Sequence, residues 1–417
     1  MNRIILIGNG FDLAHGLETS YRSFIDNFWG NVIKKFRGRP SKSFDNEYFS
    51  TSDTEYIGDA GDFEDYKSFR EWLEFNKIQI KFENHFLEII SDKTLENWVD
   101  IEEEYYQQIK DIVQGKSKYY KGKMAIAKLN EDFGKIKEEL ERYLLNDIDK
   151  PTEVKSMHNF FYDAFELKDF QSSKENLLRK YVSRVIDSAT DEDLRNTLID
   201  DVNKTINEAE NKGVDLDAND LYENSKYRCL DNYPSCKFYP RKTLILNFNY
   251  TKTESLYITP PTELPNFNVK AIHVHGELGS KENPMIFGYG DELADEYKEI
   301  EKQNDKDFFR NIKSINYLQT ANYKKTLSFA DSDHFQIYIF GHSCGNSDRT
   351  LLNTLFEHEN CVSIKPFFYE WEDKKGKKTD DYEDITINIS KNFKDKASFR
   401  EKVVNKTDCR PLPQKQN

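Results

Sequence analysis

Short apolar runs that end at a glycine or a polar residue are the feature that most constrains the fold of this chain. Rich in β-branched and aromatic residues, they predict strands. They lie toward the two ends of the sequence, at residues 3–7, 243–248, 270–274, 285–287, 335–340, 362–369 and 385–389. In open α/β sheets, ligands collect at the carboxyl ends of the strands. The pattern therefore predicts an α/β fold with a mostly parallel sheet and its chemistry at those ends.

The middle of the chain, from about residue 63 to residue 212, has a helical and heavily charged pattern. One stripe at spacings of three and four consists of Ile126, Leu129, Phe133, Ile136, Leu140 and Tyr143. A second begins near Thr190 and consists of Leu194, Leu198, Ile199, Val202 and Ile206. We interpret both as buried core. The sequence thus predicts a discontinuous α/β domain (residues 1–62 and 213–404), a helical insertion (63–212) and a frayed tail (405–417).

The charge and the cysteine content of the sequence limit which partners the protein can bind and where in the cell it is expected. The 417 residues carry 60 basic and 74 acidic side chains, a net charge of −14, which argues against a protein that mainly grips nucleic-acid phosphates. The apolar run before Gly8 is too short for a signal peptide, and no stretch approaches the ~18 apolar residues of a membrane span. Five cysteines at irregular spacing form no C-x-x-C pair. We expect a cytoplasmic protein that contacts neither a membrane nor nucleic acid.

The first motif, Gly8 to Leu17, follows the first predicted strand directly. Glycines at 8 and 10 let the backbone turn sharply and approach a ligand, so that its amides can cradle a phosphate. A dinucleotide-binding loop of the G-x-G-x-x-G form needs a third glycine at position 13, where this chain has leucine. A strand-to-helix turn without a ligand therefore remains an alternative.

Two further motifs follow later strands. Asn247 and Asn249 come at the end of an apolar run, where they either cap a turn or hold a water or sugar hydroxyls. His273 and His275 share one face of a strand, which suits a metal pair, but nothing nearby supplies a third and fourth ligand. We therefore predict no metal site.

A fourth motif, Gly341 to Asp348, contains the sequence G-x-S-x-G between a predicted strand and a predicted helix at residues 349–357. This is the setting of a nucleophilic serine in α/β-hydrolases, with Ser343 as the nucleophile. Only His358 follows Ser343, near the end of the very next helix, which makes a catalytic triad geometrically difficult. A serine hydrolase is thus one alternative function.

Taken together, these motifs resemble the AbiH family of bacteriophage abortive-infection proteins. The resemblance extends over most of the chain to about residue 348, and its segments are 8–17, 98–102, 129–133, 247–251, 273–276, 287–290 and 341–343. It implies a setting in which an infected cell harms itself or stops growing. It also implies an unknown phage-derived trigger. Because a constitutively active protein would poison its host, and because the helical insertion carries no recognisable catalytic motif, we predict restraint by this insertion, by homo-oligomerisation, or by both.

That family is similar to sirtuin-like proteins, which bind NAD on a Rossmann-like sheet and in bacterial defence hydrolyse it. Gly8, Gly10 and Gly16 fall on the glycine positions of the first sirtuin-like loop, and Asp12 occupies the position of a serine. Asn249 matches the functional asparagine, whereas Thr251 stands where an aspartate is usual. The chain lacks a zinc-binding cysteine quartet, which separates it from protein deacetylases.

The resemblance implies an NAD glycohydrolase with NAD as substrate or ligand and no separate cofactor. Asn249 would position the attacking water, His275 would accept its proton, and Asp12 would steady the positive charge of the transition state. The residues expected to bind the substrate are Gly8, Asn9, Gly10, Phe11, His15, Asn247, Tyr250, Thr251, Gly276, Gly341, His342, Ser343 and Asp348, with 341–343 on the adenosine half. The main alternative is a sensor that binds a nucleotide without chemistry.

Overall fold

The computed structural model describes residues 1–37, 43–52, 65–93, 98–188, 192–212, 214–233, 236–262, 267–292 and 296–415. Its strands are β1 (Asn2–Ile7), β2 (Phe49–Thr51), β3 (Ile80–Phe82), β4 (Thr243–Asn247), β5 (Val269–His273), β6 (Phe335–Phe340), β7 (Cys361–Phe367), β8 (Glu370–Glu372) and β9 (Lys378–Asp380). Its α-helices are α1 (Asn9–Ala14), α2 (Tyr21–Arg37), α3 (Tyr66–Phe75), α4 (His85–Asp92), α5 (Trp98–Val113), α6 (Ala125–Asn146), α7 (Lys155–Phe161), α8 (Ser172–Ser188), α9 (Glu192–Glu210), α10 (Ala218–Tyr227), α11 (Cys229–Asn232), α12 (Tyr297–Glu301), α13 (Lys313–Asn316), α14 (Asn322–Ser332), α15 (Arg349–Phe356), α16 (Tyr382–Lys391) and α17 (Lys396–Lys402).

The main sheet contains five strands in the order β5-β4-β1-β6-β7. Every neighbouring pair is parallel, and at the carboxyl end of β1, Ile7 lies opposite Asn247 on one side and Phe340 on the other. The loops that follow these strands therefore meet at one edge of the sheet. The predicted α/β fold with a parallel sheet is confirmed.

Both faces of this sheet are covered. Ile4 and Leu6 pack with residues of α14, α15 and α16 on one face. Ile5 and Ile7, whose side chains point to the other face, pack with residues of α1 and α7. Burial on both faces explains why the strands appear in the sequence as continuous apolar runs.

A second core lies among helices α2 to α6. The stripe predicted between residues 124 and 146 is confirmed, because all six of its side chains are buried along α6. Phe133 of this helix stacks on Phe287 with 4.9 Å between ring centroids, and Tyr106 of α5 stacks on Tyr289 at 4.2 Å. The segment around Phe287 thus joins the helices to the sheet.

Two predicted strands are wrong. Residues 285–287 form no strand: Met285 and Phe287 pack against the helices, and Ile286 between them packs against the main sheet. Residues 385–389 lie in α16, where Ile385 and Ile389 are buried and Ile387 is 47% exposed. Apolar residues alternate in this segment, which suggests a strand, but the pair four residues apart is the one that faces the core.

Other expectations from the sequence also need correction. In the second helical stripe Ile199 is 40% exposed, while Leu198 and Val202 are buried; Thr190 lies outside the described residues. Helix α2, within the predicted α/β part, shares the core of α3 to α6. The remaining domain boundaries stay predictions.

The tail does not fray as predicted. Leu412 is buried and donates its backbone N–H to Phe368 O at 2.8 Å, and the backbone N–H of Lys415 reaches Ala14 O at 2.7 Å. The described tail residues therefore close over β7 and α1. As a separate finding, none of the helices in the described ranges has the length and apolar character needed to cross a membrane.

Candidate functional site

A cavity of about 480 Å³ lies at the carboxyl edge of the main sheet. Its volume is in the range of small-molecule sites. The loops after β1, β4, β5, β6 and β7 all contribute to it, together with α5, α6 and α13. Its lining consists of Gly8, Asn9, Gly10, Asp12, Leu13, Thr19, Glu102, Leu144, Phe248, Asn249, Tyr250, Thr251, His275, Phe287, Lys313, Gly341, His342, Ser343, Asp348, Phe367, Tyr369, Asp381, Ile385, Leu412 and Gln414.

The three residues expected to be catalytic, Asp12, Asn249 and His275, all line this cavity. Most of the residues expected to bind the substrate line it as well. The exceptions are Phe11, His15, Asn247 and Gly276.

Phe11, His15 and Gly276 have structural contacts instead, and the contacts of Asn247 are described below. The ring of Phe11 is buried with Phe340 in the core below α1, and His15 hydrogen-bonds Phe11 O and the Tyr257 hydroxyl. Gly276 has a φ of 86°, and a Cβ there would lie 2.1 Å from Pro284 O. Each supports the backbone that carries a cavity residue.

The glycines of the first loop allow a close contact between two loops. A Cβ on Gly8 would lie 2.5 Å from the Cα of His342, and one on Gly10 would lie 2.9 Å from the Cα of Gly341. The N–H groups of Gly8, Gly10 and Phe11 donate to Phe340 O, Gly341 O and Gly8 O. These three amides are occupied, so the predicted cradle of free amides for a phosphate is wrong at these positions.

Gly341→Ala tests how far the site depends on this contact. Gly341 has a φ of 63°, and its added Cβ would lie 2.2 Å from the backbone nitrogen of Phe11. We expect the free energy of unfolding to fall by about 2–3 kcal/mol, from left-handed strain plus overpacking, in chemical denaturation. The control Gly134→Ala, in α6 with open space around it, should raise stability by up to about 1 kcal/mol. Equal behaviour of the two variants would contradict a tight loop contact.

Asn247 orients the loop that carries Asn249. Its Nδ2 donates to Thr251 O at 3.0 Å and to Glu254 Oε2 at 2.7 Å, while its Oδ1 accepts from the backbone N–H of Asn249. The Nδ2 of Asn249 donates to Gly8 O at 2.9 Å, and its Oδ1 accepts no hydrogen bond from the described residues. Asn249 thus presents a free acceptor in the cavity wall.

Asp12 is a buried carboxyl group with one oxygen unused. The hydroxyl of Thr251 donates to its Oδ2 at 2.6 Å, whereas its Oδ1 has no partner among the described residues. Burial raises the pKa of Asp12 to about 6, despite the lowering effect of the Thr251 hydrogen bond. A carboxyl group that titrates near neutral pH is typical of functional sites.

A buried ionic cluster closes the other side of the cavity. The Nζ of Lys313 lies 2.8 Å from Glu102 Oε2 and 2.9 Å from Asp348 Oδ1. Burial alone would raise the pKa of Asp348, but the charge of Lys313 and the contact with His275 hold it well below its usual range. Burial raises the pKa of Glu102. Lys313 therefore forms ion pairs with two buried carboxyl groups at once.

Two histidines face Asp348. The Nε2 of His275 lies 2.9 Å from Asp348 Oδ1, and the Nε2 of His342 lies 3.6 Å from Asp348 Oδ2. Burial lowers the pKa of His342 to about 4, so it is neutral at pH 7, and its Nδ1 accepts the backbone N–H of Cys344. A carboxylate at Nε2 favours the tautomer of His275 in which Nδ1 is free to accept a proton.

Glu102 and Lys313 were not predicted from the sequence as site residues. Glu102 falls in the segment 98–102 that carries part of the family resemblance, but the sequence pattern places it in the helices and gives no sign that it reaches the site. Lys313 lies in a short helix with no motif around it. Only the packing of α5 and α13 against the sheet edge brings the two side chains together, across 211 positions of the sequence.

The geometry around Ser343 does not form a catalytic triad. His358 hydrogen-bonds Asp331 and lies just before β7, at the opposite edge of the sheet from Ser343, which follows β6. The left-handed residues of this loop are Gly341 and Cys344, not the serine. A serine-hydrolase site is therefore not supported.

His273, the first histidine of the H-x-H motif, pairs with a carboxyl group outside the cavity. Its Nε2 lies 3.0 Å from Glu254 Oε1, while His275 faces Asp348. In the described part of the chain, no group of three or more histidine, cysteine, aspartate or glutamate side chains is arranged to hold a metal ion.

Comparison with known proteins identifies the family. The family model described as bacteriophage abortive infection AbiH matches residues 4–370, from the first strand to the residue that begins β8. No curated protein and no solved structure matches the chain. The match includes every strand of the main sheet and most of the cavity lining, but not Asp381, Ile385, Leu412 and Gln414. The chain belongs to the AbiH family of bacteriophage abortive-infection proteins.

Proposed function

We propose that this abortive-infection protein hydrolyses NAD to nicotinamide and ADP-ribose in the cavity. The observation that carries the proposal is the hydrogen bond of 2.6 Å between Thr251 and Asp12. These are the two positions at which the chain departs from the sirtuin-like pattern, which has serine at the first and aspartate at the second. The contact keeps one hydroxyl and one carboxyl group in the pocket with their positions exchanged.

The reaction needs positioning and electrostatics more than acid catalysis, because nicotinamide leaves as a neutral molecule from a cationic bond. The Oδ1 of Asn249 accepts a hydrogen bond from the attacking water. The water oxygen bonds to C1′ of the ribose as the bond to nicotinamide breaks, and its proton passes to Nδ1 of His275. Asp348 holds His275 at 2.9 Å and balances the positive charge that the ring acquires.

The charge of the cavity suits the cationic end of NAD. Asp12, Glu102, Asp348 and Asp381 line it, and Lys313, the lysine of the lining, is already paired with two of them. An ionised Asp12 lowers the energy of the positive charge that develops on the ribose. For the phosphates, Asn9 Nδ2 and the Ser343 hydroxyl line the cavity without hydrogen bonds to described residues.

Nicotinamide release by the purified protein tests this function. We expect Asn249→Ala and His275→Ala each to reduce the rate by about 10²-fold or more, since a positioned base and its water partner contribute on this order. Asn146→Ala removes an amide from the exposed end of α6 and should leave the rate unchanged. The assay is run at pH 7.5, where Asp12 is mostly ionised.

The outcomes separate the candidate functions. Release that survives both substitutions would contradict the site assignment. Binding of NAD without release of nicotinamide would instead favour the nucleotide sensor. The phage-derived trigger and the homo-oligomer stay predictions.

A further inference from the structure

An exposed aromatic pair borders the cavity beyond β7. Tyr369 lines the cavity and is 47% exposed, and Trp371 at the start of the β8–β9 hairpin is 36% exposed. Their rings stack with 5.3 Å between centroids and 18° between planes. Large aromatic side chains that remain exposed beside a pocket mark a surface on which a flat ring can stack.

The pair is held in place by its surroundings. The backbone N–H of Tyr369 donates to Asp381 Oδ1 at 2.6 Å, which ties the segment after β7 to the start of α16. Next to it, the buried side chains of Phe367, Ile385 and Leu412 form an apolar part of the cavity lining. This end of the cavity therefore offers apolar and aromatic surface, in contrast to the ionic end near Lys313.

The ionic end and the aromatic end of the cavity are built on the two outer strands of the main sheet. His275 follows β5, the first strand in the sheet order, and Tyr369 follows β7, the last. Four strand spacings of about 4.8 Å, or about 19 Å, separate the axes of these two strands along the carboxyl edge. The ring of His275 reaches inward from its strand, since it lies 2.9 Å from Asp348, which also faces His342 after β6. The cavity lining includes residues from the loop after β5 to the segment after β7, so a ligand with a ring at each end can contact both.

From this arrangement we infer that Tyr369 and Trp371 form a subsite for the purine base at the far end of the dinucleotide. The base stacks on the Tyr369 ring, which Trp371 supports, and the apolar side chains of Phe367, Ile385 and Leu412 face its edge. The inference rests on the proposed function for the identity of the dinucleotide. It moves recognition of the base from the loop at 341–343 to the segment after β7.

Binding of ADP-ribose, followed by calorimetry, tests the subsite without any need for catalysis. We expect Tyr369→Ala to weaken binding about tenfold or more, since stacking of one base on an aromatic side chain contributes on this scale. Tyr369→Phe keeps the ring and should bind as the wild type does. Trp371→Phe should bind nearly as well and lose the change in tryptophan fluorescence that accompanies binding.

Ribose 5-phosphate, which has no base, serves as the control ligand, and its binding should not respond to Tyr369→Ala. The inference is overturned if wild type does not bind ADP-ribose, or if a folded Tyr369→Ala protein binds it unchanged. Tyr369-dependent binding of ADP-ribose together with no release of nicotinamide from NAD would support the subsite while the proposed hydrolysis fails.

Discussion

Replacing Lys313 by methionine is expected to lower the free energy of unfolding by about 3–5 kcal/mol, because it leaves two buried carboxyl groups without their shared cation. Glu102 and Asp348 are both buried and lie within 3 Å of the Lys313 ammonium group. Methionine fills a similar volume, so the loss measures charge more than packing. Urea denaturation at pH 7.5 gives the difference directly.

The same substitution at a surface pair is the matched control. Lys302 lies 2.6 Å from Glu299, but both side chains are more than 60% exposed. Lys302→Met should change stability by less than about 1 kcal/mol, as exposed ion pairs do. A Lys313→Met protein as stable as the Lys302→Met protein would contradict the role assigned to the cluster.

The dependence of this loss on pH follows from the charges. Without Lys313, burial and mutual repulsion should hold the pKa values of Glu102 and Asp348 above those of the unfolded chain. Groups of this kind add stability below their unfolded pKa and lose it as the pH rises through the folded pKa. The decrease in the free energy of unfolding caused by Lys313→Met should therefore be largest at neutral pH and become smaller toward pH 4.

The cluster also links the helices to the cavity. Glu102 belongs to α5, and Asp348 orients His275. A shift of α5 would alter the partners of Lys313 and, through Asp348, the environment of His275. Restraint of the activity by the helical insertion stays a prediction, and this contact is the route by which the insertion would act.

The sequence predicted the elements whose burial is uniform. Strands β1, β4 and β6 are covered on both faces, so every residue of each is apolar or buried, and α6 carries one continuous stripe along its length. The sequence did not predict the conformation of segments that depends on contacts with residues far away in the chain. The segment around Phe287 is too short to show a period, and its partner Phe133 lies far away in the chain.

The same distinction applies to the site. Asp12, Asn249 and His275 follow strands, and parallel strands bring their carboxyl ends together, so their meeting was predictable. Glu102 and Lys313 come from elements whose position depends on helix packing. The sequence does not reveal that the amides of the glycine loop are occupied, because the loop's partner, Gly341, is more than 300 residues away in the chain.

Asp12→Asn is expected to reduce the proposed NAD hydrolysis by about 10²–10³-fold and, at the same time, to stabilise the fold above pH 6. Burial raises the pKa of Asp12 from 3.8 to about 6, a change of about two units that corresponds to about 3 kcal/mol. A carboxyl group of raised pKa contributes stability below its unfolded pKa, and this is lost as the pH rises through the folded value. Asparagine carries no charge and can still accept the hydrogen bond from Thr251.

The gain from Asp12→Asn should therefore reach about 2–3 kcal/mol at pH 8 and disappear near pH 4, as measured by denaturation at both values. Asp149→Asn, at an exposed position after α6, should change stability by less than about 0.5 kcal/mol at either pH. If Asp12→Asn instead lost stability at pH 8, the ionised carboxylate of Asp12 would be an acceptor that stabilises the fold, and the prediction would be contradicted. A gain in stability combined with lost activity identifies a carboxylate that the fold holds at an energetic cost, as catalytic sites do.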